Sequence, residues 1–101
     1  MWVLVFFDLP TETKKQRKSA NVFRKILLKD GFTMFQFSIY LRFCSSSENA
    51  QVHRSRVQKH LPDLGKVGVL TITDKQWSKM ELFYKGTVAQ KMATPQQLEM
   101  F

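Results

Sequence analysis

The chain has a single cysteine, Cys44, so no intramolecular disulfide can form. A lone thiol fits a reducing compartment. Acidic residues are also scarce, eight against sixteen Lys and Arg, which leaves a net charge of +8. No internal repeat, low-complexity segment or linker interrupts the 101 residues, and that length suits one compact domain spanning 1–101. Long apolar runs are lacking as well. The run from Met1 to Phe7 carries no basic n-region and is cut off by Asp8 and Pro10, too short for a signal-peptide core or a bilayer span. These absences predict a cytoplasmic protein that does not engage a membrane.

Apolar residues make up 44% of the chain, enough for a real core without a disulfide or metal staple. The excess of positive charge draws such a domain to polyanions, nucleic acid foremost. It is clustered: Lys14, Lys15, Arg17 and Lys18 fall within five residues, followed by Arg24, Lys25 and Lys29. His53, Arg54, Arg56, Lys59 and His60 form a second group.

Residues 2–7 read as a strand whose unbroken apolar character predicts a central position covered on both faces. A helix follows Pro10, with Thr13 and Gln16 at capping-box spacing and Ala20, Phe23, Ile26 and Leu27 as its apolar stripe. Gly31 ends it. Residues 32–43, rich in aromatic and β-branched side chains, predict two short strands with a tight joint near Gln36–Ser38, or one bent strand. Ser45 and Glu48 have the spacing to open a second helix, with Ala50, His53, Val57 and Leu61 facing inward and Pro62 beyond. Residues 66–73 read as a strand, Asp74–Trp77 as a turn or a single helical turn, and Met80–Lys85 as one more strand. The order β-α-β-β-α-β is that of an α+β, ferredoxin-like fold. Residues 80–101 add an edge strand and a docking tail, and an added apolar strand must pair with an edge, here expected to be that of a second copy.

Asp8 is the first candidate for chemistry, because a buried strand holds its exit rigidly and aims a side chain there. The competing reading is that Asp8 only ends the strand. His53 reads as a packed core residue and His60 as a solvated one.

These residues form a recognisable pattern. A first apolar strand ending in Asp8-Leu9-Pro10, a basic helix running to Lys29-Asp30-Gly31-Phe32, Gln36-Phe37-Ser38-Ile39-Tyr40, Gly65-Lys66-Val67 and Leu70-Thr71-Ile72-Thr73-Asp74-Lys75-Gln76 together resemble the CRISPR-associated protein two family. That family supplies the small subunit of the spacer-acquisition machinery. The resemblance implies a homodimer in which Asp8 faces its twin across the dimer axis, holding Mg²⁺ and serving as catalytic and metal-binding residue for phosphodiester cleavage. It also implies a role that needs no catalysis: bridging copies of the CRISPR integrase subunit on duplex DNA, with Lys14, Lys15, Arg17, Lys18 and Arg42 as the nucleic-acid-binding surface. Single-stranded RNA is a further candidate partner. The rival interpretation is a non-catalytic RNA-binding module that stacks bases on the sheet aromatics Phe35, Phe37 and Phe43. The chain lacks that module's Lys/Arg-Gly-aromatic segment.

Overall fold

The computed structural model describes residues 1–91. Four strands, β1 (Trp2–Asp8), β2 (Thr33–Gln36), β3 (Ile39–Phe43) and β4 (Lys66–Ile72), form an antiparallel sheet in the order β2-β3-β1-β4. Helices α1 (Lys14–Lys29) and α2 (Ser47–Lys59) follow β1 and β3, which gives the ferredoxin-like arrangement. A third helix, α3 (Asp74–Lys79), and a hairpin of β5 (Phe83–Tyr84) with β6 (Thr87–Val88) complete the described residues.

Local chemistry starts each helix. The Thr13 side chain accepts a hydrogen bond from the Gln16 backbone N–H at 3.1 Å, and Gln16 Oε1 accepts from the Thr13 N–H at 3.0 Å, the reciprocal box its sequence predicts. In α1, Ala20, Phe23 and Leu27 are buried, while Ile26 is half-buried. Helix α2 is capped by Ser46 rather than Ser45: its hydroxyl accepts from the Asn49 N–H at 3.0 Å. Three successive serines can all cap, and the bond from the Cys44 N–H to the Met1 carbonyl ties the chain just before them. Ala50, His53 and Val57 are buried as expected, but Leu61 is exposed because α2 ends at Lys59.

Alternation along β1 sorts its side chains. Val3, Val5 and Phe7 join Phe23, Leu27, Tyr40, Ala50 and Val57 in the core beneath the helices. Phe7 meets Phe23 edge-on, ring centroids 5.3 Å apart. Trp2, Leu4, Phe6 and Asp8 point to the opposite face, together with their register partners Phe43, Leu41 and Ile39 on β3 and Ile72, Leu70, Gly68 and Lys66 on β4. The sequence predicts full cover on that face also; the structure covers only one end of it. A second small core of Trp2, Leu41 and Trp77 packs there with Phe35, Phe43 and Ile72. Trp77 comes from α3, a helix longer than the predicted turn and fixed by a Thr73–Gln76 capping box. Lys91 donates to the carbonyls of Trp77, Ser78 and Met80 and so caps its far end.

The joint between β2 and β3 is tight, with Ser38 at φ 64° and a register shift between Met34 and Gln36. Two strands, not one bent strand, therefore occupy 32–43. The strand predicted over Met80–Lys85 shrinks to Phe83–Tyr84 and pairs with Thr87–Val88 of the same chain, not with the edge of the main sheet. Most of the docking tail predicted for 87–101 lies outside the described residues. Among the described residues no helix is long and apolar enough to cross a membrane.

Candidate nucleic-acid interface and the Asp8 face

The residues singled out by the sequence fall mainly on two surfaces, one on the helical layer and one on the uncovered end of the sheet. Helix α1 holds seven Lys and Arg residues and no acid; α2 holds three, with Glu48 as its one acid. A helical period of 3.6 puts Lys14, Lys18, Lys25 and Lys29 on one line opposite the buried stripe, a rail roughly 22 Å long. All four are exposed. Arg17 is more constrained: its Nη1 donates to the carbonyls of Thr11 and Glu12 at 3.1 and 3.0 Å, so it braces the turn leading into α1.

Arg42, expected beside this surface, lies elsewhere. It pairs in register with Val3, near the start of β1, while α1 begins after the end of that strand. Its Nε donates to the Asp30 carbonyl and its Nη1 to the Phe43 carbonyl, both at 2.8 Å. The guanidinium packs against Gly31, where an added Cβ would sit 3.0 Å from Nε. Arg42 thus clamps the α1–β2 turn and is no neighbour of Lys14–Lys18.

Asp8 ends β1 with its side chain exposed. The strand end is held on both sides: the Phe7 N–H bonds the Ser38 carbonyl at 3.0 Å, and Asp8 pairs with Lys66. Gly65, at φ +95°, lies so close that a Cβ would come within 2.6 Å of the Asp8 carbonyl oxygen. Only glycine suits both that dihedral and that approach. Asp8 and Lys66 line an open cleft of about 580 Å³ with Phe6, Phe37, Ser38 and Gly68. The Phe6 ring lies over Gly68, where a Cβ would be 2.2 Å from its Cε2.

The cleft does not make a metal centre by itself. Mg²⁺ prefers oxygen ligands in octahedral array, whereas one protomer offers one carboxylate faced by a lysine. Among the described residues no group of three or more His, Cys, Asp or Glu could hold a metal ion. Mg²⁺ is commonly held by one or two carboxylates with waters and phosphate oxygens, and Asp8 is the one carboxylate lining this cleft among the described residues.

The platform of the RNA-binding alternative is largely occupied. Phe35 and Phe43 pack into the small core with Trp77, Phe35 at 5.8 Å from Trp77 and Phe43 at 5.3 Å from Trp2 between centroids. Phe37 alone of the three is exposed.

Two features escaped sequence reasoning. Lys66 opposite Asp8 needed the strand register. The other is Asp30, at the C-terminal end of α1, where a carboxylate opposes the helix dipole and so signals a partner. Its Oδ2 lies 2.8 Å from His53 Nδ1 and its Oδ1 accepts from Arg56 Nη1 at 2.6 Å. Burial pushes the Asp30 carboxyl up, but the His53 and Arg56 bonds and charges outweigh it and hold the group below the usual carboxylate range. His53 is buried, as the sequence implies, and His60 is exposed, its Nδ1 2.8 Å from the Arg56 carbonyl.

Fold and surfaces together define a small α+β, ferredoxin-like domain with a basic helical layer and a half-open sheet. The family described as CRISPR associated protein Cas2 matches residues 1–80, and the chain belongs to that family. It is 60% identical over 101 residues to a protein of Flavobacterium psychrophilum named CRISPR-associated endoribonuclease Cas2, covering 100% of this chain and 88% of the relative. A Parvibaculum lavamentivorans protein of the same name is 46% identical, with 100% of both chains covered. The crystal structure of Streptococcus pyogenes Cas2 at pH 6.5 superposes with a TM-score of 0.61 at 20% identity, covering 83% of this chain and 100% of that one, and shares the fold.

Proposed function

We propose that this chain is a homodimeric subunit of CRISPR spacer acquisition that holds duplex DNA on the exposed face of α1 and bridges the integrase subunit. The observation that carries it is the lysine rail of α1: four exposed cations on the side opposite the core, with no acid on the helix. Such a surface positions phosphates without reading bases. Lys14, Lys15 and Lys18 make the contacts at its N-terminal end, Arg17 shapes that end, and Arg42 acts only through the turn it clamps. Dimerisation uses the open sheet face, where Phe6 and Leu70 are exposed on neighbouring strands, Leu70 lying diagonal to Phe6 and opposite Leu4.

Replacing Lys14, Lys15 and Lys18 together by Glu weakens duplex binding and lowers the log–log salt slope by roughly three, about 0.9 for each phosphate no longer neutralised. An unchanged slope would reject this surface as the interface.

A second reading is favoured by the strand-end placement of Asp8 and by the endoribonuclease names of the relatives: phosphodiester cleavage at paired Asp8 carboxylates of two copies. Mg²⁺ held between them would supply counter-charge to the phosphate. Cleavage of single-stranded RNA or duplex DNA that needs both Mg²⁺ and Asp8 supports it. Binding without cleavage, the same in Asp8→Asn, leaves the scaffold role alone.

A further inference from the structure

We propose that Lys66 is a phosphate-binding residue of the Asp8 face and that it lets nucleic acid bind there without a divalent cation. The inference rests on the reading of that face as one that meets nucleic acid. A lone carboxylate repels a phosphodiester, so a strand can approach Asp8 only if a positive charge sits beside it. The antiparallel register supplies one. Asp8 and Lys66 are direct partners on β1 and β4, point to the same face and line the same cleft. Directly opposed residues have Cβ atoms about 4.5–5.5 Å apart, so the ammonium lies within reach of any anion resting against Asp8.

Both side chains are exposed, and the ion pairs among the described residues join neither of them. Among the described residues the Lys66 ammonium therefore has no partner, unlike Arg17, Arg42, Arg56 and Lys91, whose donors are engaged. Lysine meets phosphate as a point charge with three donors, and one such charge on a protein of net charge +8 is enough to offset Asp8 locally. The phosphodiester is common to RNA and DNA, and the probes below separate the two.

The test measures binding of a fluorescein-labelled single-stranded RNA and of a duplex DNA by anisotropy, in chelator, across a salt series. The wild type binds in chelator. Lys66→Gln weakens binding about four- to five-fold at 0.15 M salt and lowers the slope by about 0.7–0.9, the counterion release of a single neutralised phosphate. Lys66→Arg retains the affinity. Asp8→Asn tightens binding in chelator, since it removes the repulsion. Lys75→Gln, a loss of the same charge on α3, serves as control. Loss on RNA alone assigns the site to a single strand, loss on the duplex assigns it to DNA, and either supports Lys66. An equal effect of Lys66→Gln and Lys75→Gln, or none from either, overturns it. So does a loss that follows dissociation of the protein in sedimentation. Failure of the α1 variants to alter duplex binding would reject the proposed interface while leaving the Lys66 result to be read separately.

Discussion

Trp2 and Phe6 sit on the same strand and the same sheet face, four residues apart, with opposite fates. Trp2 is 1% exposed and Phe6 45%. The difference comes from α3, whose six residues reach over the start of β1 and stop there. Trp77 stacks on Trp2 with ring centroids 4.5 Å apart, sealing that end, while the Asp8 end is left bare. One face of one sheet thus has two characters. Its closed end has the aromatic packing of a core, and its open end presents exposed apolar and charged groups, as surfaces that meet partners commonly do.

The largest effect follows from opening the closed end. Trp77→Ala removes the ring that covers Trp2, Leu41 and Phe35, and large aromatic truncations in a core cost about 3–5 kcal/mol. Urea unfolding should show that loss, and Trp77→Phe should recover more than half of it. A cost under about 1 kcal/mol would mean that α3 does not seal the sheet and that its two ends do not differ.

The helical layer supplies the next test, since it too is anchored at one end by a specific network. Asp30→Asn leaves buried His53 without its anionic partner and frees Arg56. It should cost about 1–3 kcal/mol near neutral pH. The Asp30 carboxyl is held below its ordinary value of about 3.9. A lowered folded-state pKa stabilises the fold above the unfolded value and loses that contribution as pH falls through the folded value. The gap between wild type and Asp30→Asn should therefore be full above about pH 5 and close progressively below about pH 4. A gap that widens on acidification would contradict the assignment.

What could be read from residues alone was local. The Thr13–Gln16 box, the Ala20-Phe23-Leu27 stripe, the joint at Gln36–Ser38 and the strand from Lys66 all announce themselves within a few residues, because capping, helical period and turn strain act over that range. The family resemblance rests on the same segments, and it holds. What failed was non-local. Cover over β1 depended on where α3 lands, which a capping box cannot say. Arg42 read as surface charge because its partners, Asp30 and Phe43, meet it only once the α1–β2 turn is folded. Lys66 drew no notice beside Asp8, although counting an antiparallel register would have paired them. The strand predicted at Met80–Lys85 had the right composition, yet Gly86 at φ +77° turned it back on itself.

The smallest effect on stability, and the sharpest on the comparison, belongs to Phe6. Its ring is nearly half exposed and rests on Gly68 at the open end. Phe6→Ser should change the unfolding free energy of dilute protein by no more than about 0.5 kcal/mol, as for most surface substitutions. Association is another matter. In the proposed two-fold dimer each residue occurs twice, so the change removes two rings, and burying the 45% of each that is exposed contributes about half of the roughly 1.5–3 kcal/mol of a fully buried side chain. At a concentration where the wild type sediments as a dimer, the variant should sediment as a monomer, although both remain folded. If Phe6→Ser instead lowers the unfolding free energy by about 2 kcal/mol or more, as core truncations do, while the folded variant still sediments as a dimer, Phe6 belongs to the core like Trp2 and the two ends of β1 do not differ.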